Sequence, residues 1–236
     1  MIHQINKIGY HKDKVLDYLS KNNFDKVLDV GGALGPWAGD YVTHYCDIQD
    51  VHSRESDAHN LKKVKGSVSI VGDLEDFKIQ EQLLKEAPFD FVICSHCLEH
   101  LGKPHLILDF LPKIGKEGFI CLPNGVIELM KGIYYKEMQQ KELEQLTRGF
   151  IPHRWVFDTD THTLFLFPKF SVLDSMSLKV DNISDLGGYA DGELSFWWKD
   201  SIPFVHYDDS FFDYPDMSDS LQFLKSLCDK VYENLL

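Results

Sequence analysis

Short apolar runs that each stop on a glycine, an acid or a Ser-His pair constrain this chain most. Lys26 to Val30 runs into Gly31-Gly32, Tyr41 to Cys46 ends at Asp47, and Ser67 to Val71 ends at Gly72-Asp73. Phe89 to Cys94 ends at Ser95-His96, and Phe119 to Leu122 at Pro123-Asn124. Between them, Val15 to Leu19, Phe77 to Leu84 and Leu106 to Ile114 space their apolar residues as one face of a helix does. Strands alternating with helices predict an α/β fold with a doubly wound parallel sheet. In such sheets ligands bind beyond the carboxyl ends of the strands, where these glycines, acids and histidines fall.

After Asn124 the pattern changes. Val126 to Leu146 is rich in Lys, Glu and Gln and reads as a helical lid or insertion. Trp155 to Phe157 and Leu164 to Phe167, joined by a polar turn, read as an antiparallel hairpin. Gly192 to Trp198 and Phe204 to Tyr207 suggest further strands, and Ser218 or Asp219 caps a last helix through Leu235. With no repeat and no Gly/Ser-rich linker, the expected organisation is one domain over 1–236. A cofactor-binding core over 24–124 precedes a lid and acceptor-binding elaboration over 125–236.

The charge balance narrows the partners. The 236 residues carry 24 Lys+Arg against 37 Asp+Glu, a net charge of −13, with no basic stripe to meet a phosphate backbone, so nucleic acid is not an expected partner. Apolar runs are far shorter than the ~20 residues of a membrane span, and the N-terminal segment lacks the apolar stretch of a signal peptide. A cytoplasmic location is expected. The five cysteines read as reduced core thiols. Cys94, His96, Cys97 and His100 lie close together, but no second cysteine pair completes a zinc site, and no metal is expected.

Val27-Leu28-Asp29-Val30-Gly31-Gly32-Ala33-Leu34-Gly35 is a strand entering a glycine turn, where a missing Cβ lets the backbone bend and a ligand approach. Asp47 can accept both hydroxyls of a ribose, and Asp73 can accept from an adenine amino group. Together with Phe89 to Leu101, these residues resemble the class I S-adenosylmethionine-dependent methyltransferases, of the type 11 kind, over roughly residues 24 to 124. The resemblance implies S-adenosylmethionine as cofactor and S-adenosylhomocysteine as product, on a doubly wound Rossmann-like sheet. It implies cofactor contacts at Gly31, Gly32, Gly35, Asp47, Asp73, Leu74 and Ser95.

This chain departs from the family pattern in two places. Ala33 stands where the family has its middle glycine. The stretch from Gly31 to Asp47 is short for a full crossover helix, and Gly35-Pro36-Trp37 opposes one, which predicts a truncated helix or a loop. The shortened crossover, His153-Arg154-Trp155 and Phe167-Pro168-Lys169 also look like the subset of these enzymes associated with bacterial surface-polysaccharide biosynthesis. That likeness implies a carbohydrate or sugar-nucleotide acceptor, a methyl ether product and an elaborated antiparallel C-terminal region.

Methylation of a hydroxyl needs a base, and His153, His96 and His100 are the candidates, with His153 favoured. The competing reading of His153 is an exposed turn residue. Arg154 is a candidate for an anionic group on the acceptor, because a guanidinium matches phosphate oxygens in a fixed fork. Trp155 is a candidate acceptor contact, although tryptophans are more often core. Methylation of nitrogen or carbon, and a non-catalytic cofactor-binding partner protein, are the rival functions.

Overall fold

A computed structural model describes residues 12–32, 35–52, 66–131, 147–160, 162–182, 192–208 and 217–233. They fall into two compact units, one within residues 12–121 and 195–202, the other within 122–194 and 203–233.

The first unit is built on strands β1 (Val27–Val30), β2 (His44–Asp47), β3 (Val68–Val71), β4 (Phe91–Ser95) and β5 (Glu117–Pro123). Strand Glu193–Lys199, whose residues 195–199 fall in this unit, completes a six-stranded sheet beside β5. The order places β3, β2 and β1 on one side and β4 and β5 on the other, so the chain reverses direction across the sheet between β1 and β4. Pairing among these five strands is parallel, with Val30 opposite both Cys46 and Cys94. Strands β1, β4 and β5 are buried along their whole length, as a sheet covered on both faces requires.

Among the described residues, three helices accompany this sheet, and each has a local cause. Helix α1 (Lys12–Lys21) buries Val15 and Leu19, one turn apart, and carries Asp13 in its first turn and Lys21 in its last, matching the helix dipole. Helix α2 (Phe77–Glu86) starts where the Asp76 carboxylate accepts from the Lys78 N–H and buries Ile79 and Leu83. Helix α3 (Pro104–Ile114) opens on Pro104, whose missing N–H costs nothing at that position, and packs Ile107, Leu108, Leu111 and Ile114 inward. Trp197 sits in an aromatic cluster with Phe119 at 5.2 Å and Tyr18 at 5.5 Å between ring centres, so it is core, as is Trp198.

Between β1 and β2 the described residues make successive turns, not a full helix. The Gly39 N–H reaches Pro36 O, and the Tyr41 and Val42 N–H groups reach Ala38 O. Pro36 has no N–H to extend a ladder backwards, which agrees with the truncated crossover predicted from the short Gly31–Asp47 spacing and Gly35-Pro36-Trp37.

The second unit contains α4 (Gly125–Leu129), β6 (Trp155–Thr159), β7 (Leu164–Pro168), β9 (Phe204–His206) and α5 (Met217–Glu233), β8 being the strand Glu193–Lys199. Strands β6 and β7 form the expected antiparallel hairpin, with Trp155 opposite Pro168. The C-terminal region is not antiparallel throughout: β9 adds to β7 in parallel, and β8 belongs to the larger sheet. Val126, Leu129, Val156, Phe167, Leu224, Cys228 and Val231 share one core here. The expected lid is represented by α4 alone, because residues 132–146 lie outside the described residues, as does Ala33.

Candidate functional site

The first turn requires glycine for two separate reasons. Gly31 has φ of +76°, its N–H donates to Cys46 O at 2.8 Å, and a Cβ there would lie 2.8 Å from Cys97 Cβ. Gly32 backs onto the previous strand, where a Cβ would lie 2.2 Å from the carboxyl carbon of Asp29. Asp29 is fully buried, and neither of its oxygens has a hydrogen-bond partner among the described residues. Burial first, then the nearby charge of Asp47, pushes its pKa up to about 8. It is therefore a structural neighbour of the turn and not an exposed ligand. Gly35 is exposed with nothing within 4 Å of where its Cβ would stand.

Beyond the strand ends lies a cavity of about 390 Å³, lined among others by Gly31, Asp47, Asp73, Leu74, His96 and His100. Both carboxylates are pinned by their own turns: Asp47 Oδ1 accepts from the Gln49 N–H at 3.0 Å and Asp73 Oδ1 from the Glu75 N–H at 2.9 Å. The volume falls in the range of small-molecule sites, ~300–1,000 Å³. A side-chain-free approach at Gly31 and two acceptor groups at successive strand ends fit a nucleoside-bearing cofactor. Of the residues expected to contact it, Gly31, Asp47, Asp73 and Leu74 line this cavity, while Gly32, Gly35 and Ser95 do not.

The fourth strand end carries two of the histidines. His96 has φ of +52°, a conformation uncommon for a side chain with a Cβ, and its N–H donates to Cys121 O at 2.8 Å. Its Nδ1 is 3.3 Å from Glu99 Oε1, an ion-pair separation without hydrogen-bond alignment, and the Glu99 side chain is fully buried. His100 is exposed at the cavity wall. Burial pushes the Cys46 thiol up to about 12, and a hydrogen bond with Cys97, then burial, raises Cys94. These two thiols are protonated packing groups and not nucleophiles.

His153 belongs to the second unit and is not the exposed turn residue of the competing reading. Its side chain is 9% exposed and its Nδ1 lies 2.6 Å from Glu128 Oε1. Glu128, 1% exposed on α4, accepts at Oε2 from Lys169 Nζ at 2.9 Å and from the Phe150 N–H at 3.4 Å. Lys169 Nζ also donates to Phe150 O at 2.7 Å, and the Phe150 ring centre is 5.0 Å from that of His153. Sequence reasoning did not name Glu128, and it quoted Lys169 only within Phe167-Pro168-Lys169, with no role of its own. Gly149 was the available signal: it has φ of +54°, and a Cβ there would fall 2.4 Å from Glu128 Oε2.

Arg154 is exposed, and its carbonyl accepts from the Lys169 N–H at 2.8 Å. Trp155, the other candidate acceptor contact, is largely buried. It heads β6, is 8% exposed, and its ring centre lies 5.4 Å from that of His206, so little of its face remains for a ligand.

The chain is similar in structure to the N-terminal domain of EvdMO1 with SAH bound, at 13% identity and a TM-score of 0.37. The match covers 46% of this chain and about half, 49%, of that one. It is also similar to an S-adenosylmethionine-dependent methyltransferase from Thermotoga maritima, described as a possible histamine N-methyltransferase. There the identity is 15% and the TM-score 0.40, over 79% of this chain and 87% of that one. No curated protein matches the sequence. A methyltransferase-domain profile matches residues 2–157, more than half of the chain and the whole of the glycine turn, the strand-end acids and strands β1 to β5. The chain belongs to the methyltransferase-domain family, the class I enzymes that use S-adenosylmethionine.

Proposed function

We propose that this protein transfers the methyl group of S-adenosylmethionine to a hydroxyl oxygen of a sugar or sugar conjugate, in bacterial polysaccharide assembly of the capsule type. The observation that carries the cofactor half is the strand-end cavity with Gly31, Asp47 and Asp73 on its wall. Asp47 would hold the ribose hydroxyls and Asp73 the adenine amino group, while Gly31 leaves room for the methionine end. The cofactor supplies a methyl carbon already activated by a sulfonium. The protein's share is positioning, worth about 7–11 kcal/mol in favourable cases, and removal of the hydroxyl proton.

The acceptor half rests on the residues around His153. An imidazole held by a carboxylate suits proton removal from a hydroxyl, and the exposed Arg154 next to it suits a phosphate of a sugar nucleotide. Among the described residues no helix is long and apolar enough to cross a membrane. Incubation with S-adenosylmethionine and a panel of sugar nucleotides and methyl glycosides, followed by mass spectrometry, tests this. A gain of one methyl on a sugar hydroxyl is expected. Methylation confined to amines or carbon acids would replace the reading with its rival.

A further inference from the structure

Glu75 is bonded to both sides of the strand-end cavity of the first unit. Its N–H donates to Asp73 Oδ1 at 2.9 Å. Its carboxylate accepts from the Gly102 N–H at 2.8 Å through Oε2 and from the Lys103 N–H at 2.6 Å through Oε1. The cavity is lined by Asp73 and Leu74 after β3 and by His100 and Leu101 after β4. Glu75 directly follows the first pair and Gly102 the second, so one half-buried side chain ties the two lining segments together where they leave the cavity.

The local chemistry asks for an acceptor at that place. Lys103 is the N-cap of α3, its side chain makes no cap hydrogen bond, and Pro104 after it has no N–H. N–H groups at a helix start stand at the positive end of its dipole, and a carboxylate from outside the helix meets them with charge-assisted bonds. The turn that carries Glu75 is fixed in its own right. Leu74 is buried and its carbonyl accepts from Gln80 Nε2 at 3.0 Å, while Asp76 caps α2.

We propose that Glu75 is a positioning residue for the cofactor, holding the Asp73 turn and the His100-Leu101 segment at the separation that S-adenosylmethionine requires. This rests on the reading above that the cofactor occupies this cavity. Both carboxylate oxygens are used as acceptors, which makes the side chain specific. Glutamine has the same length but turns an NH2 group toward one of the two N–H donors, and alanine offers no acceptor at all. With the tie lost, cofactor binding must itself bring the two segments to that separation, and affinity falls.

Calorimetric titration of the full chain with S-adenosylhomocysteine tests this without any acceptor. Glu75→Gln and Glu75→Ala should each bind about tenfold more weakly than the wild type. Asp76→Ala separates positioning from stability, because the Asp76 carboxylate serves the Lys78 N–H within α2. It should lower the melting temperature and leave the affinity near that of the wild type. By linkage, S-adenosylhomocysteine should slow hydrogen exchange of the Gly102 and Lys103 amides in the wild type, a readout that needs no variant to fold. Unslowed exchange there, or equal losses of affinity in Glu75→Gln and Asp76→Ala, would overturn the positioning role. So would Glu75 variants of full affinity beside an Asp47→Ala variant that has lost it, and the cavity reading would then stand. Full affinity in Asp47→Ala and Asp73→Asn would instead overturn the cavity reading, and with it the role of Glu75.

Discussion

Asp29 and Gly32 are packed so closely that the absent Cβ of Gly32 would lie 2.2 Å from the Asp29 carboxyl carbon. The contact seals an acid into the sheet with no hydrogen-bond partner among the described residues. Its pKa is raised from 3.8 to about 8, chiefly by burial. The folded state therefore holds a proton that the unfolded chain releases above its ordinary pKa, and stability falls as pH rises from about 4 to about 8, then levels. Asp29→Asn keeps the shape and removes the titration. Thermal melts should show the wild type losing stability between pH 5 and pH 8 by an amount on the order of several kcal/mol, and the variant losing much less. Equal slopes for the two proteins would show that Asp29 is hydrated or paired.

The two strand-end acids offer a direct test of the cavity. Asp47→Ala and Asp73→Asn should each remove hydrogen bonds to a charged group, worth ~1.5–3 kcal/mol, or roughly tenfold to more than a hundredfold in affinity. Calorimetric titration with S-adenosylhomocysteine reads this without an acceptor. Unchanged affinity in folded variants would move the cofactor elsewhere.

The cofactor half was legible because its residues are local in sequence: a strand, a glycine turn and an acid at the next strand ends are written in order, and a parallel sheet brings successive strand ends together. Helix α2 was legible for the same reason, with its cap at Asp76 and its buried residues one turn apart. The group around His153 was not legible. Glu128, His153 and Lys169 come from a short helix, a loop and a strand end, and only the tertiary fold makes them neighbours. The burial of Trp155 was not legible, because the first three residues of β6 are buried together without the alternation that would assign the ring to one face. The parallel addition of the three-residue strand β9 leaves no periodic signal either.

Arg148 is the largest fully buried charged side chain among the described residues, and its guanidinium nitrogens are all engaged. They donate to Leu173 O, Leu129 O, Met176 O and both oxygens of Asp181, the last at 2.6 and 3.0 Å. Lysine cannot reproduce that fork, so Arg148→Lys should destabilise the protein by about 3–5 kcal/mol, seen as a lower urea midpoint. Burial of Asp181 works to raise its pKa, but hydrogen bonds from Arg148 and the Leu178 N–H outweigh it and hold the group below its ordinary value. The stabilisation is therefore present above the unfolded pKa and lost as pH falls through the folded one. The gap between wild type and variant should close in strong acid. A gap that is constant with pH would assign the cost to packing alone.

Gly149 separates backbone strain from contact with Glu128. A Cβ there would stand 2.4 Å from Glu128 Oε2 and 2.6 Å from Glu128 Cα, and the second of these is backbone that cannot rotate away. Gly66 has the same left-handed habit, φ of +90°, with nothing within 4 Å of its Cβ position. Alanine at either site carries the strain of an unfavourable φ, on the order of 1–3 kcal/mol. Only Gly149→Ala must also displace Glu128, and through it the His153 ring. Gly66→Ala should lower the melting temperature and leave kcat near normal. Gly149→Ala should lower the melting temperature further and reduce kcat by at least tenfold, since a misplacement of about 1 Å can cost about 10²-fold. Equal effects of the two substitutions on both quantities would mean that Glu128 and His153 tolerate displacement and do not set the rate.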